Sequence, residues 1–133
     1  MIPTEHRFLS TQFQIVKHPD KTYRMWIEDG RIRGYGDGRD AMVQAIYKAL
    51  NTERSTYSAY SANYGVEFID LYGMPMSYVL PELKRRVTEA LTWDDRIERV
   101  DAFDFTVEKG KVHCTFTVHT VSGEIVFGKV VGV

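Results

Sequence analysis

The chain has 133 residues, 44% of them hydrophobic and 26% charged, which predicts one globular domain with its own hydrophobic core. Its net charge of −1 gives no electrostatic basis for binding nucleic acid or an anionic membrane. The single cysteine, Cys114, excludes an internal disulfide and a thiolate-rich zinc site. Neither a signal peptide nor an apolar run near the ~20 residues of a membrane span is present, so a chain kept in a cytoplasm, or in a particle assembled there, is expected.

The N-terminal part predicts an arm followed by a β-hairpin. Residues 1–21 are weakly patterned and predict an extended arm, whereas residues 22–133 predict a single domain. Apolar and polar residues alternate over Tyr23–Glu28, and Asp29-Gly30 follows before Ile32. An Asp-Gly pair between alternating runs is a strong hairpin signal, because both turn residues must take positive φ.

Two helices are predicted next. Asp37 can cap the first, whose buried stripe comprises Val43, Ile46, Tyr47 and Leu50. The second begins near Ser77, with Pro81 in the first turn, where its missing N–H costs no hydrogen bond. Its inner stripe comprises Leu80, Leu83, Val87, Ala90 and Leu91. Its outer face carries Glu82, Arg85, Arg86 and Glu89, and Lys84–Arg86 is interpreted as a solvated helix edge, not a nucleic-acid site.

The segment between the helices is predicted to be a long loop. Residues 53–64 are neither apolar enough for a core strand nor periodic, and long loops in compact domains tend to be functional. Val66–Tyr72 could form two helical turns, stopped by Gly73 and Pro75. Gly65 is interpreted as a backbone requirement.

The C-terminal third predicts three consecutive strands. Alternation over residues 103–108 and 112–119, with turns at Lys109-Gly110 and Ser122-Gly123, indicates an antiparallel meander with one buried face. In the last strand apolar residues occur on both faces, which allows two interpretations: an open edge that a partner chain covers, or a central strand flanked on both sides. The fold class predicted is α+β, an antiparallel sheet packed against two main helices with an N-terminal hairpin.

Three short motifs carry a family resemblance: Asn51-Thr52-Glu53-Arg54-Ser55, Asn63-Tyr64-Gly65 and the corner Trp93-Asp94-Asp95-Arg96-Ile97. Together, over roughly residues 22–125, they resemble the baseplate-wedge or sheath-initiator family of contractile phage tails. In that family the corner usually carries Trp-Glu-Pro-Arg-Ile, so Asp94 takes the Glu place and Asp95 the Pro place. Loss of the proline leaves the corner less rigid.

The resemblance implies a structural component of a baseplate, in a phage tail or a phage-derived injection particle assembled in the bacterial host cytoplasm. It would join wedge proteins and template assembly of the tail sheath protein, with no cofactor, metal, small-molecule substrate, nucleic acid or membrane. The predicted partner-binding residues are Glu53, Arg54, Tyr57, Tyr64, Asp94, Asp95, Arg96, Ile125 and Phe127. Two alternatives remain open: Arg96 could be an intramolecular clamp, and the loop could fold on its own sheet.

A peptidoglycan-degrading activity is the rival interpretation, because proteins of this family have often been labelled lysozyme-like. Glycoside cleavage needs two carboxyl groups ~5–9.5 Å apart, and the candidates by residue type are Glu53, Asp70, Asp94 and Asp95. No spacing brings two of them together as such a pair. His113 and His119 share a strand face but lie ~20 Å apart, too far to bind one metal ion.

Overall fold

The computed structural model describes residues 21–133, so the arm predicted for residues 1–21 lies, apart from Lys21, outside the described residues. Within them the fold class is α+β, as predicted. The elements are β1 (Thr22–Trp26), β2 (Arg31–Gly36), α1 (Gly38–Leu50), a 3-10 turn (Ile69–Leu71), α2 (Met76–Thr92), β3 (Ile97–Glu108), β4 (Lys111–Thr120) and β5 (Gly123–Gly132).

The centre of the domain is the predicted meander, with strand order β3-β4-β5 and antiparallel pairing throughout. Alternate residues of β4 face the helices and are fully buried: Val112, Cys114, Phe116 and Val118. Burial raises the pKa of the Cys114 thiol to about 11, with a smaller contribution from the nearby carboxylate of Asp104. The period of two along β4 therefore places one face in the core and leaves the other to solvent.

Both helices pack on that buried face. α1 contributes Met42, Ile46 and Leu50, and α2 contributes Val87 and Leu91, to one cluster with the sheet. Each such side chain stabilises the fold by about 1.5–3 kcal/mol on full burial. The stripe predicted for α1 is rotated slightly, since Met42 is fully buried while Val43 and Tyr47 are only half-buried.

The N-terminal hairpin is present, but its turn differs from the prediction. β1 pairs antiparallel with β2 and closes at Trp26 and Arg31, which leaves a four-residue loop from Ile27 to Gly30. Of these four residues only Gly30 has positive φ, 61°. The two-residue turn predicted at Asp29-Gly30 is therefore wrong, because alternation alone could not show that Ile27 leaves the strand.

Three local predictions between the hairpin and α2 need correction. Asp37 occupies the N-cap of α1 but its side chain makes no capping hydrogen bond. Val66–Tyr72 forms a single 3-10 turn at Ile69–Leu71, not two helical turns. α2 begins at Met76, so Pro81 lies beyond the first turn and the carbonyl of Ser77 loses its usual N–H partner.

Arg86 is a further correction, because it is buried and not solvated. Its guanidinium donates to the carbonyl of Glu67 at 3.0 Å, to Glu82 at 3.0 Å and to Asp70. These bonds tie the 3-10 turn to α2, and the bond to Asp70 together with the other carboxylate raises the pKa of Arg86 against the effect of burial. Arg86 is thus part of the core that holds the segment between the helices.

The two outer strands of the meander differ. β3 carries two irregularities, between Ile97 and Arg99 and between Asp101 and Asp104, the second with Ala102 at φ 55°. β5 pairs with β4 in unbroken register over its whole length and has no second neighbour among residues 21–133. In this part of the chain β5 is an edge strand, so the flanked-strand interpretation does not apply there.

Candidate partner-binding site

The corner between α2 and β3 is held by an ion pair within the chain. The Arg96 guanidinium donates to both carboxylate oxygens of Asp94, at 2.9 and 2.7 Å, and the Arg96 N–H donates to the same carboxylate at 3.0 Å. The carbonyl of Arg96 accepts from Val121 in the β4–β5 turn at 3.0 Å. The clamp therefore exists, and it also ties the corner to the end of the sheet.

The electrostatics of the corner follow from this geometry. Burial raises the pKa of the Asp94 carboxyl, but the hydrogen bonds and charge of Arg96 outweigh burial, so the pKa lies below its ordinary value. Asp94 is thus kept ionised and occupied, whereas the neighbouring Trp93 ring is 60% exposed and Asp95 is exposed. The groups that the corner presents to solvent are those two side chains.

A groove of about 470 Å³ lies beside the corner. It is lined by Tyr64 from the long loop together with Trp93, Asp94 and Arg96, and by residues of α1 such as Lys48. Three of the predicted partner-binding residues, Tyr64, Asp94 and Arg96, are therefore brought together at one surface. The other six lie elsewhere: Glu53, Arg54, Tyr57, Asp95, Ile125 and Phe127 do not line this groove.

Glu53 has a local structural role. Its carboxylate accepts from the N–H groups of Phe68, at 3.0 and 3.2 Å, and Ile69, at 3.2 Å, which satisfies the start of the 3-10 turn. Glu53 also forms a parallel bridge with Val66. Gly65, beside that bridge, has φ 91°, and a Cβ there would meet the carbonyl oxygen of Thr52 at 2.4 Å, so only glycine fits.

Arg54 is also bound within the chain. Its guanidinium donates to Glu89 on α2 at 3.2 Å and to the carbonyl of Gly65 at 3.3 Å. Its Nε is buried and has no hydrogen-bond partner among residues 21–133. A role for Glu53 and Arg54 in partner contact stays a prediction. Their contacts within the chain order the loop.

The tyrosines of the loop form a small surface cluster. Tyr60 stacks on Tyr64 with ring centroids 4.7 Å apart, and Tyr57 meets Tyr60 edge-on at 6.4 Å. Tyr57 and Tyr60 are more than half exposed. Burial raises the pKa of Tyr64, which is the inner member of the cluster. Exposed aromatic rings on an ordered loop are typical of interface composition.

At the β5 edge, the side chains predicted to contact a partner face the core, whereas backbone N–H and C=O groups of alternate residues point outward. Ile125 is buried and Phe127 packs partly against the core, so these two predicted contact residues face the helices, while Val126 and Val130 are 70% and 50% exposed. The N–H of Val133 donates to the carbonyl of Gly110, so odd-numbered residues of β5 hold the bonds to β4. Even-numbered residues therefore direct their N–H and C=O groups away from β4.

One of those outward groups has a partner in the described chain. The guanidinium of Arg39 on α1 donates to the carbonyl of Glu124 at 2.7 Å. Lys129, the charge that could have protected the edge, instead donates to Asn51 at 2.7 Å, and burial lowers the pKa of its ammonium. The outward backbone groups from Val126 to Gly132 have no hydrogen-bond partner among residues 21–133.

The acids considered for glycoside cleavage are dispersed among structural contacts. Glu53 caps the 3-10 turn, Asp70 pairs with Arg86, and Asp94 pairs with Arg96. His119 lies between Asp101 at 2.8 Å and Glu124 at 3.2 Å. Within residues 21–133, no group of three or more His, Cys, Asp or Glu side chains is arranged to bind a metal ion. In the same part of the chain, no helix combines the length and apolarity that a membrane crossing requires.

Comparison with known proteins decides the family. Residues 17–123 match the family model described as contractile injection system sheath initiator. The chain belongs to this sheath initiator family. It is 36% identical over 116 residues to the phage-like element PBSX protein XkdS of Bacillus subtilis strain 168, a match that covers 84% of this chain and 82% of the relative. As the resemblance implied, this sheath initiator is a structural protein of a phage tail or a related contractile particle.

Several residues that shape these surfaces escaped sequence reasoning. Gln44 on α1 donates to the carbonyl of Tyr23 at 2.7 Å and accepts from the N–H of Met25 at 2.9 Å, which fastens the hairpin to the helix. Arg39 was not predicted to touch β5. Neither contact leaves a local pattern, since the partners are 19 or more residues apart in sequence.

Proposed function

We propose that this sheath initiator joins baseplate wedge proteins and templates the first ring of the tail sheath, without catalysing a reaction. The observation that supports this most directly is the edge of β5, a regular strand with outward N–H and C=O groups that are unpaired from Val126 to Gly132 in the described chain. Such an edge accepts an added strand. The particle would be a virion tail baseplate assembled in the host cytoplasm.

Templating follows from the energetics of strand addition. A sheath segment that pairs with β5 gains backbone hydrogen bonds from a strand that is already ordered by ten residue pairs with β4. Each residue fixed in the incoming segment costs about 1–2 kcal/mol of backbone entropy, so a preordered template lowers the cost of the first ring relative to pairing between two free segments. Repetition around a symmetric ring adds avidity to contacts that are individually weak.

Attachment to wedge proteins is assigned to the groove beside the corner. The exposed Trp93 ring and the partly buried Tyr64 ring flank a cavity of about 470 Å³, which suits an apolar anchor residue of a partner. The Asp94–Arg96 clamp then positions this surface.

The edge is tested by replacing Val126 and Val130 with proline. Their N–H groups point away from β4, so proline removes two outward donors without breaking the meander, in the position where edge strands tolerate it. We expect the V126P/V130P variant to fold, by circular dichroism, and to be incorporated into baseplates. Sheath polymerisation on those baseplates, followed by electron microscopy, should be lost.

A matched variant separates the backbone from the side chains. V126T/V130T keeps both N–H groups and the branched shape, so sheaths of normal length are expected. Normal sheaths on baseplates that carry the folded proline variant would contradict the proposal. Deletion of the strand is less informative, because Ile125 and Val131 would leave the core.

A further inference from the structure

The β1–β2 hairpin presents a second surface, with a character different from the β5 edge. A hollow of about 440 Å³ opens on it, here called the arginine hollow, lined by Arg24, Arg31, Arg33, Trp26, Tyr35 and Asp29. Three arginines and one aspartate thus line the hollow. In a chain whose net charge is −1, this is a local concentration of positive charge.

The arginines of the hollow are accessible to a ligand. Arg31 and Arg33 are exposed, and their guanidinium groups make no ion pair with any of residues 21–133. Arg24 lies over the Trp26 ring at 4.6 Å and reaches Asp40 only at 4.0 Å. Planar guanidinium groups bind carboxylates in two-point geometry, so three of them beside one hollow favour an anionic ligand.

The rest of the hairpin indicates the form of that ligand. The outer side of β1 is occupied by Gln44, whereas β2 has no second neighbouring strand among the described residues. Trp26 and Tyr35 are 45% and 60% exposed and offer apolar contact beside the charges. A strand that pairs with β2 directs alternate side chains to opposite faces, so its acidic residues meet the arginines and its apolar residues lie on the face of Ile32, which is 69% exposed.

Charge balance favours a short acidic peptide over nucleic acid. With the three arginines set aside, the remaining chain carries a net −4, that is −1 minus 3, so a long polyanion would be repelled beyond the hollow. We infer that the arginine hollow and the free side of β2 bind an acidic strand segment of a neighbouring protein. This surface is separate from the β5 edge, and its test does not depend on sheath assembly.

The test uses a fluorescent synthetic peptide of about eight residues that alternates Glu and Val, the period of a strand. Binding to the whole protein is followed by fluorescence anisotropy. We expect saturable binding that the R31E/R33E variant weakens by about tenfold or more, because two charge-assisted contacts become repulsive. The control R99E/K111E makes the same change in net charge on the β3–β4 sheet, and we expect less than about a twofold effect from it, since distant exposed charges are screened.

A peptide of opposite charge distinguishes a change in charge from unfolding of the hairpin. The R31E/R33E variant should bind a Lys-Val peptide of the same length more tightly than the unaltered protein does, a gain that unfolding cannot produce. Three results would each overturn the inference. They are no saturable binding of the Glu-Val peptide, equal weakening of that binding in both double variants, or weakening in R31E/R33E without tighter binding of the Lys-Val peptide. Tighter binding of a single-stranded DNA of equal charge would also overturn it, in favour of a nucleic-acid surface.

Discussion

Arg96 illustrates how one residue limits what the corner can offer a partner. Its guanidinium is bound to both oxygens of Asp94, and the Asp94 carboxylate also accepts the Arg96 N–H. The clamp interpretation is therefore realised in the isolated chain, and it is compatible with partner contact at the same surface. We expect the partner to meet Trp93 and Asp95, which are exposed, while the clamp fixes their position.

The clamp has a pH signature. The folded-state pKa of Asp94 is below its ordinary value of 3.8, so its contribution to stability is fully present above that pH and is lost as the pH falls through the folded value. Arg96→Gln should lower the free energy of unfolding by about 1 kcal/mol at pH 7, as for a half-buried ion pair. The difference from the unaltered protein should shrink in urea melts as the pH is lowered below 3.8.

Arg99→Gln is the control for that measurement. Arg99 lies 3.4 Å from Asp101, but both side chains are largely exposed, so little change in stability is expected. If the effect of Arg96→Gln were the same at all pH values, packing of the side chain, and not its charge, would be its contribution.

At the level of elements, the contrast between β3 and β5 is the informative one. β3 has two bulges and a positive φ at Ala102, features that twist an edge away from further pairing. β5 has regular pairing over Gly123–Gly132, and its inward-facing charge, Lys129, is bound to Asn51. Of the two edges of the meander, the regular one is thus the one suited to strand addition.

Pro81 in α2 leads to a stability prediction. Because it lies beyond the first turn, its ring disturbs the carbonyl of Ser77 and removes one helical hydrogen bond. Pro81→Ala should raise the free energy of unfolding by about 1–3 kcal/mol, since alanine restores the bond and helix propensity but adds freedom to the unfolded chain. Pro75→Ala, at the N-cap, should not stabilise the protein. Equal Tm values for P81A and the unaltered protein would contradict this, and would show that the missing hydrogen bond to the Ser77 carbonyl costs no stability.

The elements that sequence predicted correctly have local causes. The meander follows from the period of two along β4, where Val112 to Val118 alternate with exposed residues, and from glycines at the turns. Arg86 was assigned to the wrong face because helical spacing treats arginine as polar, and its partners Glu67 and Asp70 are 16 to 19 residues away. The family was predicted correctly, but the intramolecular contacts of Glu53 and Arg54 depend on tertiary structure, which motif spacing does not contain.

At the scale of the whole molecule, α1 connects the surfaces. Gln44 holds the hairpin, Arg39 and the Asn51 side chain at the helix end contact β5, and Lys48 lines the groove beside the corner. A displacement of α1 would therefore be felt at the arginine hollow, at the β5 edge and at the groove. Proteins that bound these surfaces would therefore all contact elements that are attached to one helix.

The labelling rate of the buried Cys114 thiol can report local opening of the central strand, β4. With a pKa of about 11 and 2% exposure, it should react with a disulfide reagent at pH 8 far more slowly than an ordinary thiol, since the thiolate is the nucleophile. Labelling then requires β4 to separate from a neighbour, and its rate reports the free energy of that local opening. Reaction in the native protein as fast as that of a free cysteine would contradict this. The measurement requires no substitution, so it can be repeated on intact particles. A lower labelling rate there than in the free protein would show that a strand added to β5 stabilises the sheet against local opening.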